Sequence, residues 1–411
     1  MLPYIALIFL ASGLILEIIR CGRRKQPSGM VIYFLFSAVF LHVWVLIYAL
    51  GISRWMVREE VIYMVLVSDV FIFIGYLLWF YIILPSNKVQ QFRPIEQRHK
   101  VSYWVFYILC MFFVIYYFSK NGITIAAEDI DASRHAARKG QGYINIFLTR
   151  GLPMATAGLV FYYFKHRRIY SKWAIILLIF LGILIQVMSS FRANVIFLAM
   201  LLWFVYHDSA KKFTIPSLAK IALWSITFFC SITFIKYKSE FEGSMVVGLN
   251  ILWGYVEHRI VMEIPWVIEK TLLLVNSNGF YFGKTYIMDL YSALPGPGDS
   301  YGDFLMKFAN PNTAVAGLAA LTPSMIGESY VNFGYSGIAV ISFLTPALFR
   351  LIEGNGGIVT INTLIIRNMM SLYVANSVML GFGTLLSSRI IPTFIFLLFI
   401  LFIQKLLIKS I

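Results

Sequence analysis

The residues with most chemical potential are cations and carboxylates set between long apolar runs. One such stretch reads Glu128-Asp129-Ile130-Asp131-Ala132-Ser133-Arg134-His135-Ala136-Ala137-Arg138-Lys139-Gly140-Gln141-Gly142-Tyr143. Its Ala-rich spacing after Asp131, with Gly140 as a stop, predicts a short helix capped by Asp131 or Ser133. Arg134 and Arg138 then stand one turn apart on one face, with His135 and Lys139 beside them. Guanidinium forks bond phosphate groups bidentately, so this face could grip a phosphate or pyrophosphate. A solvated helix whose acidic start and basic end complement its own dipole fits the same residues. Asp129-Ile130-Asp131 also has the form of an Asp-x-Asp metal site, but no second acidic cluster completes a shell, and capping is the stronger reading.

Arg192 stands at the tip of an apolar hairpin, in Ser189-Ser190-Phe191-Arg192. A hairpin needs a turn there but not a cation, and an arginine near lipid is costly unless it snorkels or meets an anion. A lipid-linked phosphate is its natural partner. Arg150 and Arg367 fall inside expected spans, where they either face a water-filled cavity or mark a span boundary elsewhere. Further along, His258 and Arg259 could supply a base and an anion contact, and headgroup contact explains them equally well. Lys284, Asp289, Asp299, Asp303, Lys307 and Glu328 are further polar candidates, among aromatic residues that include Tyr281, Phe282, Tyr286, Tyr291, Tyr301, Tyr330 and Phe333. Aromatic residues at a membrane boundary are usually anchors. Flat rings beside carboxylates also hold sugars. No Gly-x-Ser-x-Gly elbow, Walker loop or His-Glu-x-x-His pattern occurs, which removes the usual support for serine hydrolase, ATP-driven pump and zinc protease.

The elements that must position these residues are membrane helices. Hydrophobic residues make up 60% of the chain and charged residues 13%, against about 45–50% and 25% in soluble domains. The net charge of +15 is spread in short basic clusters between apolar runs, the pattern of positive-inside anchoring rather than of a nucleic-acid surface. Cys21, Cys110 and Cys230 form no CxxC pair, so neither structural zinc nor a disulfide framework is expected. The apolar run from Leu2 to Ile19 precedes its basic cluster and has no evident small-residue cleavage site, and it is read as a retained first span.

Counted at about 20 apolar residues each, about eleven transmembrane helices are expected. The fold class is therefore an all-α polytopic membrane protein. Residues 1–235 form an N-terminal membrane region of about eight spans, with an external basic segment at 120–143. A large external loop containing short helices follows at 236–337, and about three further spans at 338–411. The spans near the C-terminal end are placed at Ile338–Ile352, Ile361–Phe382 and Ile390–Gln404. The apolar pieces Met245–Val256 and Ile264–Val275 are read as interfacial or re-entrant helices. Basic clusters after the first, third and fifth spans put the N-terminus and the long loop outside.

Ser190-Phe191-Arg192, the basic stretch Arg134–Tyr143 and the run Pro323-Ser324-Met325-Ile326-Gly327-Glu328-Ser329-Tyr330-Val331-Asn332-Phe333-Gly334-Tyr335-Ser336-Gly337 together carry a resemblance. The chain resembles the O-antigen or Wzy-type polymerases of oligosaccharide repeat units, over most of its length by topology and over these pieces by motif. The odd span count with an external N-terminus departs from the pattern. The resemblance implies a GT-C-like membrane glycosyltransferase in a bacterial inner membrane, with its site facing the periplasm. It would move a growing glycan from undecaprenyl pyrophosphate to the terminal sugar of an incoming lipid-linked repeat unit.

For that reaction Arg134, Arg138, Arg192 and Arg259 are the expected pyrophosphate ligands, Glu328 and His258 the expected bases, and His135 stands behind them. Tyr143, Lys284, Tyr330 and Asn332 are expected to complete the substrate contacts. No metal or other cofactor is required where arginines supply the charge. Inversion by direct displacement is expected, because double displacement needs a second close carboxylate. Partners implied are the lipid-linked oligosaccharides, the bilayer, a chain-length regulator and a flippase, and no nucleic acid. An O-antigen ligase, a lipid-linked oligosaccharide flippase or other transporter, and a non-catalytic scaffold are the alternatives.

Overall fold

The computed structural model describes residues 2–51, 58–84, 91–92, 97–127, 133, 142–166, 169–189, 192–209, 213–236, 253–254, 257–258, 262–294, 299–312, 321–354 and 358–409. In hydrocarbon a backbone amide has no water to bond, so a spanning chain must satisfy itself within helices. The described residues are helical apart from short turns and one two-residue parallel pairing, Gln91–Phe92 (β1) with Ile358–Val359 (β2).

Five long apolar helices come first: α1 (Leu2–Arg24), α2 (Gly29–Ala49), α3 (Glu59–Ile83), α4 (Arg98–Asn121) and α5 (Gly142–Lys165). Next come α6 (Ile169–Met188), α7 (Arg192–Ser209) and α8 (Ile215–Lys236), whose apolar stretches are shorter. Among the described residues the expected loop holds the short helices α9 (Glu263–Asn278), α10 (Lys284–Ser292) and α11 (Tyr301–Ala309). The chain closes with α12 (Ser324–Glu353), α13 (Ile361–Ala375) and α14 (Phe382–Leu407). Among the described residues, α1 to α5, α12 and α14 are the seven helices long and apolar enough to cross a membrane. The chain is a multi-pass helical membrane protein. Helices stand where each of the expected spans was placed, and among the described residues seven of them meet the length and composition of a span.

Three boundaries differ from the sequence reading. The helix expected to begin at Ile338 begins at Ser324 and bends at Phe333 and Gly334, so the stretch around Glu328 is a helix and not the end of a loop. Gly334 adopts φ +64°, a conformation without steric cost only for glycine. The helix expected over Ile361–Phe382 stops at Ala375, and the last one starts at Phe382 rather than Ile390. Met379, Leu380 and Phe382 keep this stretch apolar, so hydropathy runs straight across a break made by backbone geometry.

α12 packs most extensively on α3, and a Cβ at Gly75 would collide with the Phe343 carbonyl. A small residue there lets the two backbones touch. At its C-terminal end α12 is locked to α1. Glu353 accepts from Arg20 Nη1 and Nη2 at 3.0 and 2.8 Å and from Arg24 Nη1 at 2.5 Å, while Glu17 accepts from Arg20 at 2.6 and 2.7 Å. Tyr76 of α3 donates to Glu17 at 2.8 Å. These groups are almost fully buried, and a buried ion loses far more from a missing partner than it gains from a present one. Glu353→Gln, which leaves two buried guanidiniums short of charge, is expected to destabilise the bundle by about 3–5 kcal/mol, read as a lowered midpoint of thermal unfolding in detergent.

Candidate functional site

The bend in α12 determines what surrounds Glu328. Breaking the helix at Phe333 and Gly334 frees carbonyls one turn earlier, and buried carbonyls need donors. The turn between α9 and α10 supplies them: Tyr281 N–H donates to Val331 O at 2.9 Å and Phe282 N–H to Asn332 O at 3.2 Å. Asn332 adds its side chain, accepting from Gly283 N–H at 2.8 Å and donating to Thr285 Oγ1 at 2.6 Å and to Glu328 O at 2.8 Å. α10 is thereby moored alongside the first half of α12. Asn332, expected among the substrate contacts, has its amide hydrogen-bonded to protein groups and braces this turn.

That mooring brings Asp289 of α10 to the side chain of Glu328, and both carboxyls meet the start of α14. Glu328 is 1% exposed and Asp289 0%. Gly383 N–H donates to both carboxylate oxygens of Glu328, at 3.3 and 3.2 Å. Asp289 Oδ2 accepts from Thr384 Oγ1 at 2.8 Å, and Oδ1 accepts from Tyr301 N–H at 2.7 Å. A Cβ at Gly383 would lie 2.8 Å from Asp289 Oδ2 and 2.8 Å from Glu328 Oε1, and one at Gly381 would collide with Glu328 Oε2. The Gly381-Phe382-Gly383-Thr384 turn is thus a cradle for two carboxyls. The unpaired N–H groups of a helix start favour negative charge.

Two phenols complete the wall. Burial, with the charge of Glu328 added, pushes Tyr286 up to about 12. Burial likewise raises Tyr301, close to both carboxyls. Both stay protonated and can donate near the pair at neutral pH. Asp289 lies above its ordinary range because burial outweighs its two hydrogen bonds, with Asp303 adding repulsion.

The other expected site residues fall differently. His258 is exposed, so it does not share the buried position of Glu328. Lys284 is exposed at the start of α10. Tyr143 is exposed at the start of α5 and donates to Ala293 O at 3.4 Å, close to the end of α10. Tyr330 is buried in an edge-to-face contact with Phe280 and another with Tyr335. Asp303 serves the Ser300 capping box of α11, and Lys307 pairs with Asp299. Arg192 opens α7, but its side chain lies outside the described residues, as do Arg134, His135, Arg138 and Arg259. The sequence reading missed the Gly381–Thr384 cradle. Its one signal was a Gly-x-Gly inside an apolar run, where glycine weakens a helix unless a close approach demands it.

Comparison with protein-family models, curated proteins and solved structures returned no match for this chain.

Two outcomes follow from this geometry. Gly383→Ala forces a methyl between two carboxyls and is expected to cost about 1–3 kcal/mol, measured by thermal unfolding. A carboxyl raised in the folded state binds more protons folded than unfolded, so its contribution to stability is present below its ordinary value of 3.8 and is lost as pH rises through the raised one. Asp289→Asn should flatten that part of the pH–stability curve, even though one of its two donors then faces an amide N–H₂.

Proposed function

We propose that this chain is a polymerase of bacterial surface polysaccharide, a GT-C-like glycosyltransferase that elongates a glycan on undecaprenyl pyrophosphate. The observation that supports it best is the Glu328 carboxyl, buried beside Asp289 and held by the first turn of α14. A carboxylate fixed by backbone donors, with lone pairs left over, suits a general base. Of the expected bases, Glu328 is preferred over His258 because its position is constrained from three elements.

In the proposed reaction the acceptor hydroxyl oxygen bonds to the anomeric carbon of the donor as its proton passes to a Glu328 carboxylate oxygen. The bond from the anomeric carbon to the phosphate oxygen breaks, and its electron pair leaves with the pyrophosphate. The proton then passes from Glu328 to solvent, restoring the base. Asp289 is close enough to raise the possibility of double displacement, but each of its oxygens is already engaged, by Tyr301 N–H and by Thr384 Oγ1. It acts as a positioning residue, and direct displacement with inversion remains the reading. The site end of α12 would face outward in a bacterial inner membrane, with the Arg20 and Arg24 end inward, following the positive-inside rule.

Purified protein given lipid-linked repeat units alone should produce ladders of longer lipid-linked products. Glu328→Gln should reduce their formation by about a hundredfold or more while thermal stability stays near that of the unaltered chain. Undiminished ladders in Glu328→Gln would remove this base. Transfer only to added lipid A core would replace the polymerase reading with a ligase. Repeat units crossing the bilayer with no new glycosidic bond would mark a transporter.

A further inference from the structure

Arg20 and Arg24 meet Glu353 and Arg367 meets Asp208 at 2.8 Å, while the buried Arg350 donates to the Leu84 and Gly354 carbonyls at 2.5 and 2.6 Å. Arg150 and Arg389 are placed differently. Arg150 is 9% exposed, and its neighbours are neutral: Thr149 O at 3.0 Å, Asn194 Oδ1 at 3.4 Å and Ser388 O at 3.5 Å. With the Asn376 amide turned so that its oxygen faces the guanidinium, Arg389 donates to it through Nη1 and Nη2 at 2.7 and 2.9 Å, while its Nε is buried with no partner. Among the described residues neither forms an ion pair with an acid. Both guanidiniums also lie against one ring, 5.9 and 5.7 Å from the centroid of Tyr373. Two like charges against one ring repel each other; Arg150 is cut off from water, and Arg389 is half-buried with its Nε fully enclosed. Neutral acceptors and one aromatic face offset that only in part.

The backbone is also adapted at both positions. Arg150 lies in the π-helical turn Phe147–Gly151 and Arg389 in the π-helical turn Leu386–Ile390. Such widened turns interrupt the regular ladder and recur at functional sites. Ser388, whose carbonyl Arg150 meets, is five residues beyond Gly383 on α14, about 7–8 Å along the helix from the group that holds Glu328.

We propose that Arg150 and Arg389 form an anion site within the bundle that takes a phosphate or pyrophosphate group. Its identification with the leaving group of glycan transfer rests on the proposed function; the anion site itself does not. Two guanidiniums converging on one place present several N–H donors to the oxygens of such a group, and the bound anion supplies the missing counter-charge.

Binding is measured without turnover, on the full chain in detergent, by titration calorimetry and by ligand-induced thermal shift. The probes are farnesyl pyrophosphate and inorganic pyrophosphate. The unaltered protein should bind farnesyl pyrophosphate, and Arg150→Gln and Arg389→Gln should each weaken it by about tenfold or more. In the absence of probe the two variants should unfold at the same temperature as the unaltered protein or higher, since each removes an uncompensated charge. A merely structural role predicts the reverse, a lower unfolding temperature with probe affinity unchanged, and overturns the proposal. Arg150→Lys and Arg389→Lys, which keep the charge but lose the fork, should bind with intermediate affinity and decide the matter if either glutamine variant fails to fold. Binding of inorganic pyrophosphate alone would sustain the anion site and overturn a lipid-borne ligand. No binding of either probe overturns both. Intact binding in a protein that makes no ladders would remove the polymerase reading and leave the anion site standing.

Discussion

A carboxylate placed in an apolar bundle must be given donors, and much of the architecture around Glu328 can be traced to that requirement. Its donor is the Gly383 N–H, one of the backbone groups that a helix start leaves without an internal partner. For that N–H to be free, α13 and α14 cannot be one helix. For the carboxyl to reach it, Gly381 and Gly383 must have no side chains. The break between α13 and α14, the two glycines and the buried acid are one feature seen from three places in the chain.

The same economy governs the bend in α12. Gly334 ends the regular hydrogen-bond ladder, and the carbonyls so released recruit the turn at Tyr281 and Phe282. α10 follows that turn and delivers Asp289 to the cradle, where Tyr301 at the start of α11 and Thr384 of α14 take up its oxygens. Sequence between α8 and α12 thus acts as a clamp on the first half of α12. At the other end of that helix Glu353 ties it to Arg20 and Arg24 of α1. A helix fixed at both ends, bent between them and packed along α3 is a rigid support for the Glu328 carboxyl.

Arg150 and Arg389 have the opposite character. Glu328 and Asp289 are supplied with donors by the protein, whereas Arg150 and Arg389 face neutral acceptors and a shared ring. An acid site completed by the fold and a cationic site left incomplete stand on the same stretch of α14. That asymmetry separates carboxyls whose oxygens the fold has supplied with donors from guanidiniums whose partners are neutral.

Sequence by itself determined the helical, membrane-embedded class, because twenty-residue apolar runs and clustered basic residues are properties of composition and order along the chain. It also named Glu328 beside His258 as an expected base, and Asp289 and Arg150 as polar candidates without assigning them to one place. Tertiary structure alone decided that Glu328 is buried where His258 is exposed, that the Asn332 amide is taken up by protein groups, and that Arg150 and Arg389 lie against the ring of Tyr373. The physical reason lies in what carries each kind of information. Hydropathy averages over a turn or more and passes unbroken through Met379, Leu380 and Phe382, while a helix break is made by backbone torsions at one or two residues. Contacts between Glu328 and Gly383, or between Arg150 and Ser388, join residues 55 and 238 positions apart, and no local pattern encodes a meeting that distant packing produces.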